Sequence, residues 1–187
     1  EKLVGQATTT KMNKAEFTQL IHNYPIDDTN KALTLLFLET HKDFWSRENK
    51  YGHITASCWV INRKKDMALL THHKKLNKWF QLGGHIEAED IDIYSACQRE
   101  LQEESGLKSG KILSKEIFDI DVHKIPSKKG IAEHFHFDIR ILFEADDTEV
   151  ISFDTAESML VKWIRLDEIR EVSKEESITR MINKSNF

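Results

Sequence analysis

One stretch of this 187-residue chain constrains its fold and chemistry more than any other. The glycine pair Gly83-Gly84 ends a strand-like run, and a short loop and a helical segment follow it. Glu100, Glu103 and Glu104 stand at positions i, i+3 and i+4, so a helix places their three carboxylates on one face. On an exposed helix such neighbours repel by roughly a few tenths of a kcal/mol per pair. An all-oxygen donor set suits a hard cation, and we therefore expect Mg²⁺ or Mn²⁺ to bind there.

The same stretch resembles the Nudix box, whose pattern is glycine, five residues, glutamate, seven residues, then Arg-Glu-aliphatic-any-Glu-Glu-any-Gly-aliphatic. The second half matches at every fixed position, from Arg99 to Leu107. In the first half, Asp90 stands where the glutamate is expected, and 14 residues separate Gly84 from Arg99 where the pattern has 13. A one-residue insertion between loop and helix accounts for both departures. A broader resemblance to one bacterial Nudix subgroup covers most of residues 52–183.

The resemblance implies a fold, a reaction and a set of residues. The fold is the Nudix α/β/α sandwich with a mixed β-sheet. The reaction is metal-dependent cleavage of a diphosphate linkage in a nucleotide derivative, by attack of water on phosphorus. The implied metal ligands are Glu100, Glu103, Glu104 and the carbonyl of Gly83. Arg99 is implied to orient a ligand glutamate through a charge-assisted hydrogen bond.

Residues outside the box are candidates for the remaining roles. Glu157, in a loop after an acidic segment, is our first candidate for the general base; Glu149 and a box glutamate are the alternatives. His85 directly follows the glycine pair and is expected either to contact substrate phosphate or to stabilise its loop. His134 and His136 share one face of a predicted strand, where they form a substrate, metal or phosphate site or an ordinary polar surface.

Periodicity divides the chain into a helical N-terminal part and a strand-rich remainder. Helices are predicted over residues 13–24 and about 29–42, and strands over 53–62, 67–71, 112–123, 134–144 and 159–164. The residues expected to face inward from the two helices are Phe17, Leu20, Ile21, Leu33, Leu36 and Phe37. We therefore divide the chain into an N-terminal helical hairpin, residues 1–50, and a Nudix hydrolase domain, residues 51–187. The extension is expected to cover a sheet edge, with a dimer contact or a part of the substrate pocket as alternatives.

Composition limits the class of partner. The net charge of −4 argues against a nucleic-acid-coating surface but does not exclude nucleotides, because a metal can neutralise their phosphates. A nucleotide-type small molecule is the substrate that the Nudix resemblance implies. The longest apolar runs, such as residues 35–38, are too short for a membrane span. The two cysteines, Cys58 and Cys97, form no CxxC motif, so reduced thiols in a cytoplasmic protein are expected. A homodimer stays open.

Two other classes of function also stay open. A Nudix-fold isomerase of the isopentenyl diphosphate type needs a cysteine and a glutamate over the substrate. Cys58 is the only strand cysteine, and no matching motif surrounds it. A non-catalytic nucleotide sensor tends to lose the box glutamates, which are retained here. The sequence does not identify which diphosphate is cleaved.

Overall fold

The computed structural model describes residues 10–187, which form a seven-stranded sheet with helices on both faces. The predicted Nudix-type α/β/α arrangement around a mixed sheet, preceded by two helices, is confirmed. The elements in chain order are α1 (Lys14–His22), α2 (Thr29–Thr40), β1 (Gly52–Asn62), β2 (Met67–His73), β3 (Lys78–Phe80), β4 (Leu82–His85), α3 (Ile93–Ser105), β5 (Lys111–Ile125), β6 (His134–Ala145), β7 (Ser158–Arg165), α4 (Ile169–Val172) and α5 (Glu176–Lys184).

Strand β1 is the centre of the sheet. The main strand order is β3-β2-β1-β6-β5, with β4 paired to β1 and β7 paired to β2. β1 and β6 run parallel, in a register from Gly52↔Phe135 to Asn62↔Ala145, whereas the other pairs are antiparallel. Every residue of β1 is buried, because helices and side chains cover both of its faces.

Alternation along β1 sends its side chains into two separate clusters. Ile54, Ala56 and Cys58 pack into the larger core, which also contains residues of α1, α2 and α3. Trp59, at an odd position, points to the opposite face and packs with residues of α4 and α5. Its indole N–H donates to Ser185 Oγ at 2.8 Å. The sheet therefore separates the face that carries the box helix from a second face with its own polar groups.

The N-terminal helices pack directly onto the sheet. Phe17 is fully buried, and Phe37 stacks on Phe137 of β6 with ring centroids 4.2 Å apart. The Asn30 side-chain amide donates to the Ile120 carbonyl on β5, the outer strand of the sheet, at 3.0 Å.

The prediction that Leu33 and Leu36 face inward is wrong. These side chains are 42% and 54% exposed, whereas Thr34, Phe37 and Leu38 are buried. The predicted and the observed inward residues both have helical spacing. Residues 35–38 are all apolar and so lie on every side of the helix, and periodicity alone does not identify the buried face. None of the described helices has the length and apolar character of a membrane span.

Candidate active site

The glycine pair lies on β4, antiparallel to β1, with Ser57 opposite Gly83 and Ala56 opposite Gly84. Gly83 has φ +153°, and a Cβ atom there would lie 2.5 Å from the Ala56 carbonyl oxygen. A Cβ on Gly84 would lie 2.5 Å from Glu100 Oε1. Glycine at both positions therefore lets β4 approach β1 and leaves room for a carboxylate from the helix.

Helix α3 carries the carboxylates, and its ends are fixed locally. Asp92 caps the N-terminus in a capping box with Ser95, and Gly106 ends the helix in the left-handed region at φ +72°. One side of the helix, with Ala96, Cys97 and Leu101, is buried in the core. The predicted helix and its approximate length thus follow from capping signals and an apolar stripe.

The three box glutamates differ sharply in burial. The Glu104 carboxylate accepts the Gly83 N–H at 2.8 Å, which ties the middle of β4 to the helix. The Glu100 side chain is 11% exposed and lies against Gly84. Glu103 is 61% exposed at the outer side. The carboxylates consequently extend from the sheet toward solvent, rather than forming the uniform surface that the spacing alone suggests.

Arg99 connects the helix to the preceding loop. Its Nη1 donates to Glu100 and Glu103, both at 2.9 Å, so this residue orients two of the box carboxylates. Its Nη2 donates to the His85 carbonyl at 2.8 Å and to Asp90 at 2.9 Å. Arg99 is thus a positioning residue, bound on every side by protein oxygens.

Asp90 is the partner that the sequence reasoning did not assign. Its side chain is 4% exposed. The Asp90 carboxylate accepts hydrogen bonds from Nε and Nη2 of Arg99, and another from the Glu87 N–H at 2.8 Å. The residue at the first acidic position of the box therefore organises the loop and holds the arginine. The signal was present in the sequence, since an acid occupies that position despite the one-residue insertion.

Burial disfavours the charged form of the two inner carboxyls. It raises the pKa of Glu100 to about 7, although the Arg99 guanidinium opposes the effect. It raises the pKa of Glu104 to about 8, with the Gly83 N–H opposing and the charges of Glu100 and Glu157 adding. Two buried carboxyls that lack sufficient positive charge, in an all-oxygen group beside a glycine pair, fit a hard divalent cation.

Glu157 and Glu149 occupy different surroundings. Glu157 lies in the turn before β7, close enough for its charge to raise the pKa of Glu104, and its backbone carbonyl accepts the Lys74 N–H at 3.0 Å. The Glu149 carboxylate instead accepts the backbone N–H groups of Lys108 and Ser109 at 2.8 and 3.0 Å. Glu149 therefore caps the segment after α3, whereas the charge of Glu157 acts on a box carboxylate.

The second face of the sheet buries an ionic network. Arg140 is 2% exposed and donates to Asp138 and Asp119 at 2.9 and 3.2 Å. Arg180 and Lys184 of α5 also pair with Asp119. Asp138 and Arg140 lie on the polar face of β6; α5 covers that face, and charge pairing compensates the desolvation.

The predicted histidines converge beside this network. The ring centroids of His85 and His136 are 5.2 Å apart, and those of His134 and His136 are 5.1 Å apart. His53 of β1 lies among them, 5.1 Å from His85 and 4.8 Å from His136. His53 was not among the predicted site residues.

The family assignment follows from the sequence comparison. The model of the NUDIX domain matches residues 52–182, which include the glycine pair, the whole box and the strands around it. The chain belongs to the Nudix family. Nudix domains hydrolyse diphosphate bonds, and this chain is a Nudix-type hydrolase acting on acid anhydride bonds.

Solved Nudix structures share the fold at low sequence identity. An Ap4A hydrolase from C. elegans has a TM-score of 0.55 at 15% identity, over 70% of this chain and 93% of that chain. A MutT protein from Methanosarcina mazei Go1 has a TM-score of 0.54 at 16% identity, over 74% of this chain and 95% of that chain. A NUDIX-family hydrolase from Clostridium perfringens has a TM-score of 0.51 at 23% identity, over 72% of this chain and 96% of that chain. None of the curated proteins compared matches this Nudix chain.

Proposed function

We propose that this Nudix hydrolase is a Mg²⁺- or Mn²⁺-dependent pyrophosphohydrolase that cleaves a diphosphate linkage in a small nucleotide derivative. The observation that carries the proposal is the pair of largely buried carboxyls, Glu100 and Glu104, which lie against the glycine pair at Gly84 and Gly83. A divalent cation would compensate the cost of keeping both charged there. One structural neighbour is an Ap4A hydrolase, which supports a nucleotide-derived substrate.

Each residue of the group has a proposed role. Glu100, Glu103, Glu104 and the Gly83 carbonyl hold the cation, and Arg99 fixes the first two of these carboxylates. When bound, the cation neutralises charge on the diphosphate and lowers the pKa of water.

Glu157 is the proposed general base. Its charge acts on Glu104 and it is not part of the Arg99 network, which leaves its carboxylate to take a proton from the attacking water. Contact with substrate phosphate is the role that the sequence predicts for His85, His134 and His136, and metal binding by the same imidazoles is its alternative. His85 directly follows the glycine pair, which makes its imidazole the nearest of the three to the proposed cation ligands along the chain.

The surroundings of the cysteines argue against the isomerase alternative. Cys58 is fully buried, and its thiol donates to the Cys97 carbonyl at 2.9 Å. Cys97 is fully buried as well, and its thiol donates to the Ser57 carbonyl at 3.3 Å. Neither thiol is accessible to a substrate, so a protonating cysteine is not available from this pair.

A panel assay tests the proposal. The purified chain is incubated with nucleoside triphosphates, nucleotide sugars, ADP-ribose, dinucleotides and coenzyme A, with Mg²⁺, with Mn²⁺ or with a chelator. We expect metal-dependent release of a nucleotide product from at least one class. Glu103→Gln and Glu104→Gln should each lower turnover by about 100-fold or more, because outer-shell residues of metal sites already account for roughly 10–100-fold.

Three results would contradict this function. Full activity of both glutamine variants with Mg²⁺ would show that the carboxylate assignment is wrong. Turnover that persists in the chelator would remove the metal from the mechanism. Tight nucleotide binding without turnover, with either cation, would instead indicate a sensor.

A further inference from the structure

A second cluster of metal-binding side chains lies outside the carboxylate group. One ring nitrogen of each of His53, His85 and His136 lies within 4.8 Å of those of the other two. The register of the sheet produces this meeting: His53 is opposite His136 on β6, and His85 of β4 is opposite Thr55, two residues along β1. Residues two apart on a strand share a face, so the three imidazoles converge on one side of the sheet.

His53 is the unusual member of this cluster. It is 3% exposed, and neither of its ring nitrogens makes a well-formed hydrogen bond with any residue among 10–187, although the Asn49 backbone lies close enough to act on its pKa. A buried polar group without a partner is destabilising, so such groups are rare in native folds. The neighbouring polar residues of β1 are satisfied: the Thr55 and Ser57 hydroxyls donate to Asp138 at 2.9 and 2.8 Å. The unpaired imidazole therefore points to a missing partner within the histidine cluster.

The protonation state of the cluster favours a cation over an anion. Burial, with a smaller contribution from the neighbouring histidines, lowers the pKa of His53 to about 4 and that of His136 to about 2. Neutral imidazoles bring no positive charge to a phosphate, but each presents a nitrogen lone pair.

His134 adds a fourth nitrogen to the same space. Its Nδ1 lies 2.9 Å from the Ala132 carbonyl, which only accepts, so the proton of neutral His134 lies on Nδ1 and a lone pair on Nε2. That Nε2 is 3.3 Å from the Nε2 of His136. Two nitrogen ligands of a tetrahedral zinc ion are about 3.3 Å apart, given Zn–N distances of roughly 2.0–2.1 Å. His123, in contrast, is held by Asp121 at 2.9 Å.

We propose that His53, His85 and His136 bind a divalent transition-metal ion of the Zn²⁺ or Co²⁺ class, with His134 facing the fourth coordination position. Imidazole nitrogens suit these ions, whereas Mg²⁺ prefers the oxygens of the box. The site is separate from the carboxylate site but adjoins it, because the His85 carbonyl accepts Arg99 Nη2.

Cobalt spectroscopy tests the site and distinguishes it from the box. The full chain is titrated with Co²⁺, whose visible absorption is intense in four-coordinate nitrogen sites and weak in six-coordinate oxygen sites. We expect intense bands that saturate at one equivalent and that Zn²⁺ displaces. His136→Ala and His85→Ala should each weaken binding by about 100-fold, whereas Glu103→Gln and the surface control His22→Ala should keep the spectrum.

Folding is monitored separately, by the melting temperature of each variant in chelator. If His136→Ala unfolds, the more exposed His85→Ala carries the test. Equal Co²⁺ binding in wild type and both histidine variants would overturn the proposal, as would loss of the bands in Glu103→Gln. Inorganic pyrophosphate is titrated as a probe: if its binding, and not metal binding, is lost in His136→Ala, the cluster is an anion site and the proposal is wrong.

Discussion

Replacing Glu104 by glutamine is expected to stabilise the metal-free protein while abolishing its activity. The Glu104 carboxylate accepts the Gly83 N–H at 2.8 Å, and burial raises its pKa to about 8. Glutamine has nearly the same shape and keeps an oxygen that accepts this hydrogen bond, but it never ionises. At high pH the wild-type protein must bury a charge, whereas the variant does not.

The magnitude follows from the two pKa values. The carboxyl loses its proton near pH 4.5 when the chain is unfolded and near pH 8 when it is folded. The free energy of unfolding of the wild type therefore falls as pH rises from 4.5 to 8. The full difference corresponds to about 5 kcal/mol at roughly 1.4 kcal/mol per pKa unit. Because Glu100 and Glu157 share this effect, we expect about 2 kcal/mol to be specific to Glu104.

Urea unfolding in chelator at pH 5 and pH 8.5 measures this effect. The advantage of Glu104→Gln over wild type should be larger at pH 8.5 by about 2 kcal/mol. Glu103→Gln is the matched control: its side chain is 61% exposed, so its effect should stay within about 0.5 kcal/mol at both pH values. A Glu104→Gln advantage that is equal at the two pH values, or a net destabilisation at pH 8.5, would refute the argument from burial.

Three further substitutions test the rest of the site. Arg99→Ala leaves Asp90 buried without its cation, so urea unfolding should show a loss of about 3 kcal/mol, and an unchanged midpoint would contradict the pairing. Gly84→Ala places a Cβ 2.5 Å from Glu100 Oε1, so calorimetry should show Mg²⁺ affinity reduced by roughly tenfold or more; unchanged affinity would exclude Glu100 as a ligand. Glu157→Gln should lower kcat by about 100-fold with unchanged Mg²⁺ affinity, and an unaltered pH–rate profile would transfer the base role to a box glutamate.

The sequence predicts the elements of the box because they depend on local spacing. The glutamates at i, i+3 and i+4 do lie on one side of α3, and the capping residue Asp92 and the C-terminal Gly106 are local signals. The spacing of the glutamates does not show how deeply each side chain is buried. Glu103 is largely exposed and Glu100 is nearly buried, although both belong to the same motif, because β4 and the Asp90 loop cover only the inner part of the helix face.

Side-chain burial also depended on contacts between distant segments. Periodicity predicts that Phe37 and Leu36 are both buried, but only Phe37 is. The side of α2 that is buried depends on how this helix packs against β5 and β6, where Phe37 stacks on Phe137. Asp138 and Arg140 alternate with apolar residues, as a half-exposed strand does. They are buried because they pair with each other, and because α5, far along the chain, covers them and places Ser177 against Arg140.

The sequence predicts three histidines of the cluster, His85, His134 and His136, but not His53. β1 is buried on both faces, so the polar residues at its odd positions must find partners across the sheet. Ser57 and Thr55 find one in Asp138, whereas His53, at the end of the same row, has none among the described residues. The sequence shows the polar alternation of β1 but not which strand lies opposite. Only the parallel register with β6 brings His53 to His136, and an unpaired buried imidazole among neutral neighbours is a stronger indication of a metal than the His-x-His pattern alone.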